Sequence, residues 1–406
     1  MLMDAPALTA RSESAAPTPS AWLDGFGPGS SLFVSPGRAL IGQGNLLSAT
    51  GDAGPAAQQA RELLHEAAVQ GADHPILLGL IPFDATRPAR LFVPERYESV
   101  PTLARAAHEP DAAGAVSNVR AQRSMPDATG YEDSVRQALA MMRAGPELHK
   151  LVLARTLELD LDDVPDLQGI LARLLRDNPA GYTYAIPLES AADAEPALFF
   201  GASPELLVRR EGRRVTVNPL AGTAARHPDP AEDRRRADAL LASAKDQYEH
   251  AIVIGDVVQR LRPLCSSLHV PDGPSLISTP TLWHLSTLIE GRLTDPGTSS
   301  LDLALALHPT PAVCGQPMQL ARSGIRELES FDRGFYAGAA GWCDAHGDGE
   351  WAVAIRCAQY RDRRLTLYAG AGIVPGSDPV RERIETRNKL GTVLDALGLD
   401  TPITID

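Results

Sequence analysis

Cysteine is scarce: Cys265, Cys314, Cys343 and Cys357 are the only four in 406 residues. No two are spaced as C-x-x-C, which excludes the usual zinc ribbon and the thioredoxin-type redox pair. Reduced thiols in a cytoplasmic protein are the expectation. Positive charge is short as well, with 38 Lys and Arg against 51 Asp and Glu and a formal net charge of −13. A chain that coats nucleic acid or anionic lipid needs a basic face, so neither nucleic acid nor membrane is expected as a partner. A small anionic substrate stays open, because a few Lys or Arg side chains or a metal ion invert the sign locally. No apolar run approaches the roughly 18 residues that span a bilayer. The N-terminus has no basic stretch leading into an apolar core, so a secretory signal is not expected. The glycine-rich segments lack the GKS or GKT ending of a phosphate loop, and no G-x-S-x-G elbow is present.

What is present is enough apolar material for a large core, 44% of the residues, which excludes global disorder. Residues 1–28 are rich in Ala, Ser, Pro, Thr and Gly and are expected to be a mobile tail with a first anchor near Trp22. By length alone, residues 29–406 divide into two or three domains or form one large α/β unit. Strands are predicted at 31–34, 76–81, 150–161, 182–186, 197–200, 206–210, 215–219 and 281–293. Helices are predicted at 56–70, around Val135 to Met142, from Leu167 to Leu174, and over 230–262, 300–307 and 316–328. A last helix begins at Asp378-Pro379 and runs to Leu397, a cap followed by proline at the first helical position. Residues 102–127 read as a surface connection. Strands come in hairpin-linked groups rather than strict β-α-β alternation. That pattern predicts an α+β fold with antiparallel or mixed sheets.

Two acidic pairs stand at helical spacing. Asp246 and Glu249 are three apart on one predicted helix, Glu382 and Glu385 on another. Each pair shares a helix face, where like charges repel unless a cation lies nearby. Two such faces brought together offer oxygen ligands suited to Mg²⁺. A solvated acidic face has the same spacing. Lys389, four residues after Glu385, forms either an ordinary ion pair or a cation aimed at a substrate carboxylate. Lys150 opens the apolar run Leu151-Val152-Leu153-Ala154. It either stands outside the strand end or points inward, where desolvation makes it a plausible general base. Glu205, after Ser203-Pro204, is either a cap or a buried general acid. Gly222 and Gly370 offer bare backbone for close approach to a carboxylate. His284, on the apolar strand Trp283-His284-Leu285, reads by itself as a core histidine.

Taken together, the segments resemble the chorismate-utilising enzymes: isochorismate, anthranilate and salicylate synthases. The resemblance is carried by Lys150-Leu-Val-Leu-Ala-Arg155, Gly201-Ala-Ser-Pro-Glu205, Pro219-Leu-Ala-Gly-Thr223, Lys245-Asp-Gln-Tyr-Glu-His250 and Trp283-His284. It continues through His308-Pro-Thr-Pro-Ala-Val-Cys-Gly315, Gly341-Trp-Cys-Asp344, Glu350-Trp-Ala-Val-Ala-Ile-Arg356, Gly370-Ala-Gly-Ile373, Glu385-Thr386 and Lys389. Ile81-Pro-Phe-Asp84 is similar to the isochorismate synthase branch that feeds catecholate siderophores. The match covers nearly everything after residue 30.

The resemblance implies an α+β fold: one catalytic domain over residues 29–406, of two stacked, mainly antiparallel sheets flanked by helices. It implies Mg²⁺ held by Glu249 and Glu385 with Asp246 and Glu382 nearby, and chorismate as the substrate. Gly222, Thr223 and Gly370 would supply backbone or hydroxyl contacts. Arg356 and Lys389 would hold carboxylates, Tyr336 would join Arg356, Ala312 would line the ring pocket, and His284 is counted with the binding residues. Lys150 would be the base for a water attacking C2, and Glu205 the acid for the hydroxyl leaving C4. Tyr336 is the residue that salicylate synthases carry at this place, which keeps a pyruvate-expelling salicylate synthase as the rival enzyme. A catalytically silent binder of an anionic metabolite is the rival from another class. Relatives that use ammonia tend to lack a lysine where Lys150 stands, and no glutaminase-like segment is present. A monomer in the cytoplasm is expected.

Overall fold

The computed structural model describes residues 17–101, 103, 118–189, 197–399, 403 and 405. Most of the expected tail, residues 1–16, and most of 102–117 lie outside the described residues. Within the rest of the tail, Pro19–Leu23 forms a short helix capped by Thr18, and Trp22, Leu23 and Phe26 are buried.

Two large sheets make the body. The ten-stranded sheet runs Gly315–Gln316, Lys150–Leu161, Arg364–Ile373, Cys357–Arg361, Ala197–Ser203, Tyr182–Leu188, Ser30–Ser35, Arg38–Gln43 and Arg96–Val100, with Val119–Met125 added beside Lys150–Leu161. The nine-stranded sheet runs Cys265–His269, Ile289–Leu293, Arg214–Asn218, Leu206–Glu211, Gly349–Val353, Ala339–Asp344, Ile76–Ile81, Pro88–Val93 and Leu47–Asp52. A small third sheet joins Leu220–Ala225, Leu282–Ser286 and Ser275–Ser278. Every described pairing is antiparallel.

The two-residue period of a strand divides side chains between two cores. Phe33, Leu153, Tyr184 and Phe199 enter the core between the large sheets, with Leu78, Val208 and Trp351 from the other side. Leu32, Ala185 and Phe200 point the opposite way, toward helices Leu167–Asp177 and Pro379–Leu397. Each fully buried Leu or Phe contributes roughly 1.5–3 kcal/mol.

Three expectations are corrected. The surface connection 102–127 ends in a strand, Val119–Met125, whose exposed side chains hide its period. The single strand 281–293 is two, Leu282–Ser286 and Ile289–Leu293, in different sheets. The helix 230–262 is two, Pro230–Ala242 and Ala244–Leu261. Ser243 adopts an extended backbone there, and its hydroxyl accepts the Asp246 N–H.

Candidate active site

The site forms where strands change sheets. The chain leaves the ten-stranded sheet at Ser203, turns through Pro204-Glu205, and enters the nine-stranded sheet at Leu206. It returns at Val353-Ala354-Ile355-Arg356, entering Cys357–Arg361. The two crossings touch: Val353 N–H donates to Glu205 O at 3.1 Å, and Ala202 N–H to Arg356 O at 3.0 Å. Arg356 holds φ at +51°, a left-handed backbone that arginine adopts only at a cost of about 1–2 kcal/mol. A Cβ on the facing Gly201 would lie 2.7 Å from Arg356 O, so the crossing admits only glycine there.

A narrow cleft of about 50 Å³ opens between these crossings, the small sheet and two helix N-termini. Of the residues the sequence singled out, Glu205, Gly222, Thr223, Glu249, His284, Ala312, Tyr336, Arg356, Gly370, Glu385 and Lys389 line it. Lys150 pairs with Glu249 of this wall, Asp246 packs behind Gly222, and Glu382 joins them through Lys245. A larger cavity of about 230 Å³ lies between Phe83, Arg322 and Phe331, but its charges are mostly closed into pairs such as Arg326–Asp84 and Arg333–Glu329. The titratable groups that can act on a substrate converge on the narrow cleft.

Lys150 is fully buried, so the alternative of a lysine outside the strand end is overturned. Its Nζ lies 2.9 Å from Glu249 Oε1. A Cβ on Gly372 would meet Glu249 Oε1 at 2.2 Å and Lys150 Cε at 2.9 Å, so Gly372 makes room for this pair. Glu205 is 2% exposed. Burial raises its carboxyl to about 7; the Leu220 N–H, at 3.4 Å from Oε1, and the charges of Lys150, Arg356 and Lys389 keep it from rising further. The Glu205 carboxyl can therefore hold a proton near neutral pH.

His284 is buried and hydrogen-bonded as a core histidine would be, but it stands on the cleft wall. Burial, then Arg356 and Lys389, press its imidazole well below the ordinary range, so the ring is neutral. Arg356 Nη2 approaches Nε2 at 3.5 Å, and guanidinium only donates, which assigns the ring proton to Nδ1. Nδ1 lies 3.2 Å from Thr223 Oγ1, and the ring also hydrogen-bonds the Gly222 backbone. Tyr336 stacks on Tyr368 at 5.2 Å, and both line the cleft. Gly222, with φ at +83°, places its bare face 3.1 Å from Asp246 Cβ, counted from where a Cβ would sit.

The acidic pairs lie at the N-terminal ends of their helices, where the helix dipole favours negative charge. Asp246 is in the first turn of Ala244–Leu261, and Glu382 in the first turn of Pro379–Leu397, capped by Asp378. Buried Arg155 ties the second helix to the long strand, its Nε donating to Thr386 Oγ1 at 2.9 Å. Burial works to raise the Glu249 carboxyl, but Lys150 and Lys245 outweigh it and hold it below the ordinary value. Glu382 is raised to about 7 by burial and by Glu385. Lys389 Nζ donates to Gly370 O at 2.8 Å and pairs with Glu385 Oε1 at 2.6 Å.

Four carboxylates at two helix ends suit a divalent oxygen-loving cation in number and type. Among the described residues, though, no three His, Cys, Asp or Glu side chains converge on one point as metal ligands. Lysines take their oxygens instead. The sequence reading passed over one of these, Lys245. It lies half-buried among Asp246, Glu249 and Glu382, one residue before Asp246, and burial against its charge is overridden by these carboxylates, which hold the ammonium above the ordinary lysine range. Gly372 and Tyr368 were passed over too, because space and ring stacking leave no mark in spacing.

A family model described as "Chorismate binding enzyme" matches residues 73–398. The chain belongs to the chorismate-binding enzyme family. Isochorismate synthase DhbC of Bacillus subtilis is 44% identical to it over 389 residues, 92% of this chain and 95% of that protein. Isochorismate synthase EntC of Escherichia coli is 41% identical over 380 residues, again 92% and 95%. A crystal structure from Bacillus anthracis, described as a "putative 2,3-dihydroxybenzoate-specific isochorismate synthase, DhbC", superposes with a TM-score of 0.89 at 41% identity, covering 94% of this chain and 100% of that one. These relatives favour the isomerase over the salicylate synthase and the silent binder. Isochorismate synthases use a divalent metal. The α+β architecture read from the hairpin-linked strands is the architecture of this chorismate-binding fold.

Proposed function

We propose that this chain isomerises chorismate to isochorismate, with Lys150 as general base and Glu205 as general acid. The observation that carries the assignment of roles is the buried Glu205 carboxyl, raised to about 7 at the sheet crossing, together with Lys150 buried against Glu249. An acid and a base with separate environments are what the chemistry needs. Lys150 takes a proton from water, and the water oxygen bonds to C2 of the ring. The diene shifts, the C4–O bond breaks, and Glu205 gives its proton to the departing hydroxyl, which leaves as water. One water enters and one leaves, so the net change is an isomerisation.

The remaining residues bind. Arg356 and Lys389 hold substrate carboxylates, with Tyr336 beside Arg356. Thr223 donates its hydroxyl proton, oriented through His284. Gly222 and Gly370 let the substrate approach backbone, and Ala312 leaves room for the ring. Glu249 and Glu385 would hold Mg²⁺, with Asp246 and Glu382 beside them. Bound there, Mg²⁺ supplies positive charge that positions the ring carboxylate. The cleft is tight for a ligand, so the Lys389 contacts with Gly370 and Glu385 are the ones a substrate carboxylate displaces.

The siderophore context, as a 2,3-dihydroxybenzoate-directed isochorismate synthase, is supported by the relative described in those words. The four described cysteines are free and buried, which fits a reducing cytoplasm. No helix among the described residues is long and apolar enough to cross a membrane. The test is Lys150→Ala and Glu205→Gln, each assayed for turnover and for substrate binding. Turnover is expected to fall by about 10²–10⁴-fold while binding survives. Unchanged turnover in either variant refutes that residue's role. Chelation of divalent metal is expected to abolish turnover and its readdition to restore it; undiminished turnover removes the metal.

A further inference from the structure

Four carboxylates meet at the two helix ends, and three lysines answer them. Among the described residues Lys150 pairs with Glu249 alone, at 2.9 Å, and Lys389 pairs with Glu385 on its own helix, at 2.6 Å. Lys245 is different. Its Nζ lies 3.1 Å from Glu382 Oε1, 3.8 Å from Glu249 Oε2 and 4.0 Å from Asp246 Oδ1, so it joins carboxylates from both helices. It is also the most exposed of the three. Lys150 is sealed at 0% side-chain exposure, and Lys389 is tied to Gly370 O, whereas Lys245 keeps 30% exposure and a path to solvent.

We infer that Lys245 is a built-in counter-cation, which neutralises Asp246, Glu249 and Glu382 in the metal-free protein and swings to solvent when a divalent ion takes those oxygens. The inference rests on the proposal that this cluster holds the metal. Two observations support it independently of the reaction. The carboxylates number enough for a metal site yet among the described residues do not converge as one, and Lys245 stands against three of them, at 3.1 Å from Glu382, 3.8 Å from Glu249 and 4.0 Å from Asp246. Glu382 is 3% exposed, and Lys245 Nζ, coming from the other helix, is the cation 3.1 Å from its Oε1. An ammonium and a magnesium ion cannot share the same oxygen faces, because the metal needs them at roughly 2.0–2.1 Å. Metal affinity is therefore set by competition with a residue of the chain itself.

The test uses the full chain, purified with Mg²⁺ and then stripped with EDTA. Lys245→Met keeps the length of the side chain without its charge; Lys245→Arg keeps the charge. Mn²⁺ affinity is read by electron paramagnetic resonance, and melting temperature in EDTA and in saturating Mg²⁺. Lys245→Met is expected to bind Mn²⁺ about tenfold more tightly, the scale of removing one close like charge. Its melting temperature should drop in EDTA and recover in Mg²⁺; precipitation on chelation alone is the same outcome at its limit. Lys245→Arg should bind Mn²⁺ no more tightly than wild type. Unchanged or weaker Mn²⁺ binding by Lys245→Met overturns the inference. Should Lys245→Met fail to fold even in Mg²⁺, Lys245→Gln gives the same readings with a smaller perturbation. A wild type that binds no Mn²⁺ refutes the metal site itself, which is a separate failure.

Discussion

At the scale of single residues, burial decides the chemistry. Glu205 is an ordinary glutamate until the sheet crossing removes water from it, and its carboxyl then rises to about 7. Its folded-state pKa stands above the unfolded value of roughly 4.3. Its contribution to stability is therefore present at acid pH and lost as pH rises through about 7. Glu205→Gln, which mimics the protonated acid, should leave the melting temperature nearly unchanged at pH 4.5 and raise it at pH 8. A fall at pH 8 would mean that the carboxylate is stabilised in the fold. For the same reason, activity limited by Glu205 should decline above pH 7, where the acid loses its proton. Lys150 was legible because a charge opening an apolar run is unusual, but its depth was not. Lys245 was hidden because a lysine beside an aspartate reads as surface, and only folding brings Glu382 to it from 137 positions away in the chain.

At the scale of elements, two devices position these groups. The first is the cap of the last helix. Asp378 accepts the Arg381 N–H at 2.9 Å and fixes where Glu382 and Glu385 emerge. Asp378→Ala should cost about 1 kcal/mol of stability and weaken Mn²⁺ binding along with it; stability lost without any change in Mn²⁺ binding would separate the cap from the site. The second is the buried pair Glu329–Arg333. Glu329 accepts the Ala154 N–H at 2.7 Å, and Arg333 donates to Val152 O and Val313 O, both at 2.8 Å, so one ion pair braces the wall behind the cleft. Glu329→Ala leaves the guanidinium buried and unpaired and should cost about 3–5 kcal/mol, read by chemical denaturation. A cost below 1 kcal/mol would show the brace to be dispensable. Gly372→Ala crowds the Lys150–Glu249 contact: kcat/KM should fall about 100-fold, with a stability loss of about 1–3 kcal/mol. The last helix was readable from its Asp-Pro start, and the buried strand Ile76–Ile81 from its apolar run. The strand Val119–Met125 was not, because an edge strand with exposed side chains has no apolar face to show.

At the scale of the whole molecule, the architecture follows from hairpin-linked strands, and the site follows from strands that change sheets. Hairpins leave signals within a few residues, which is why the α+β class was legible. Crossings do not: Ser203-Pro204-Glu205 looks like any tight turn until the partners of Ala197–Ser203 and Leu206–Glu211 are known to lie in different sheets. The candidate residues were drawn together from the resemblance of many short segments, since none of their spacings singles out a cleft. A monomer is expected, and size-exclusion chromatography with light scattering checks it; a particle of twice the chain's mass would contradict it. The function itself is tested most directly by proton NMR of the purified protein with chorismate and Mg²⁺. Isochorismate should accumulate alongside remaining chorismate, with no pyruvate. Salicylate with stoichiometric pyruvate, or chorismate left untouched, would contradict the isomerase.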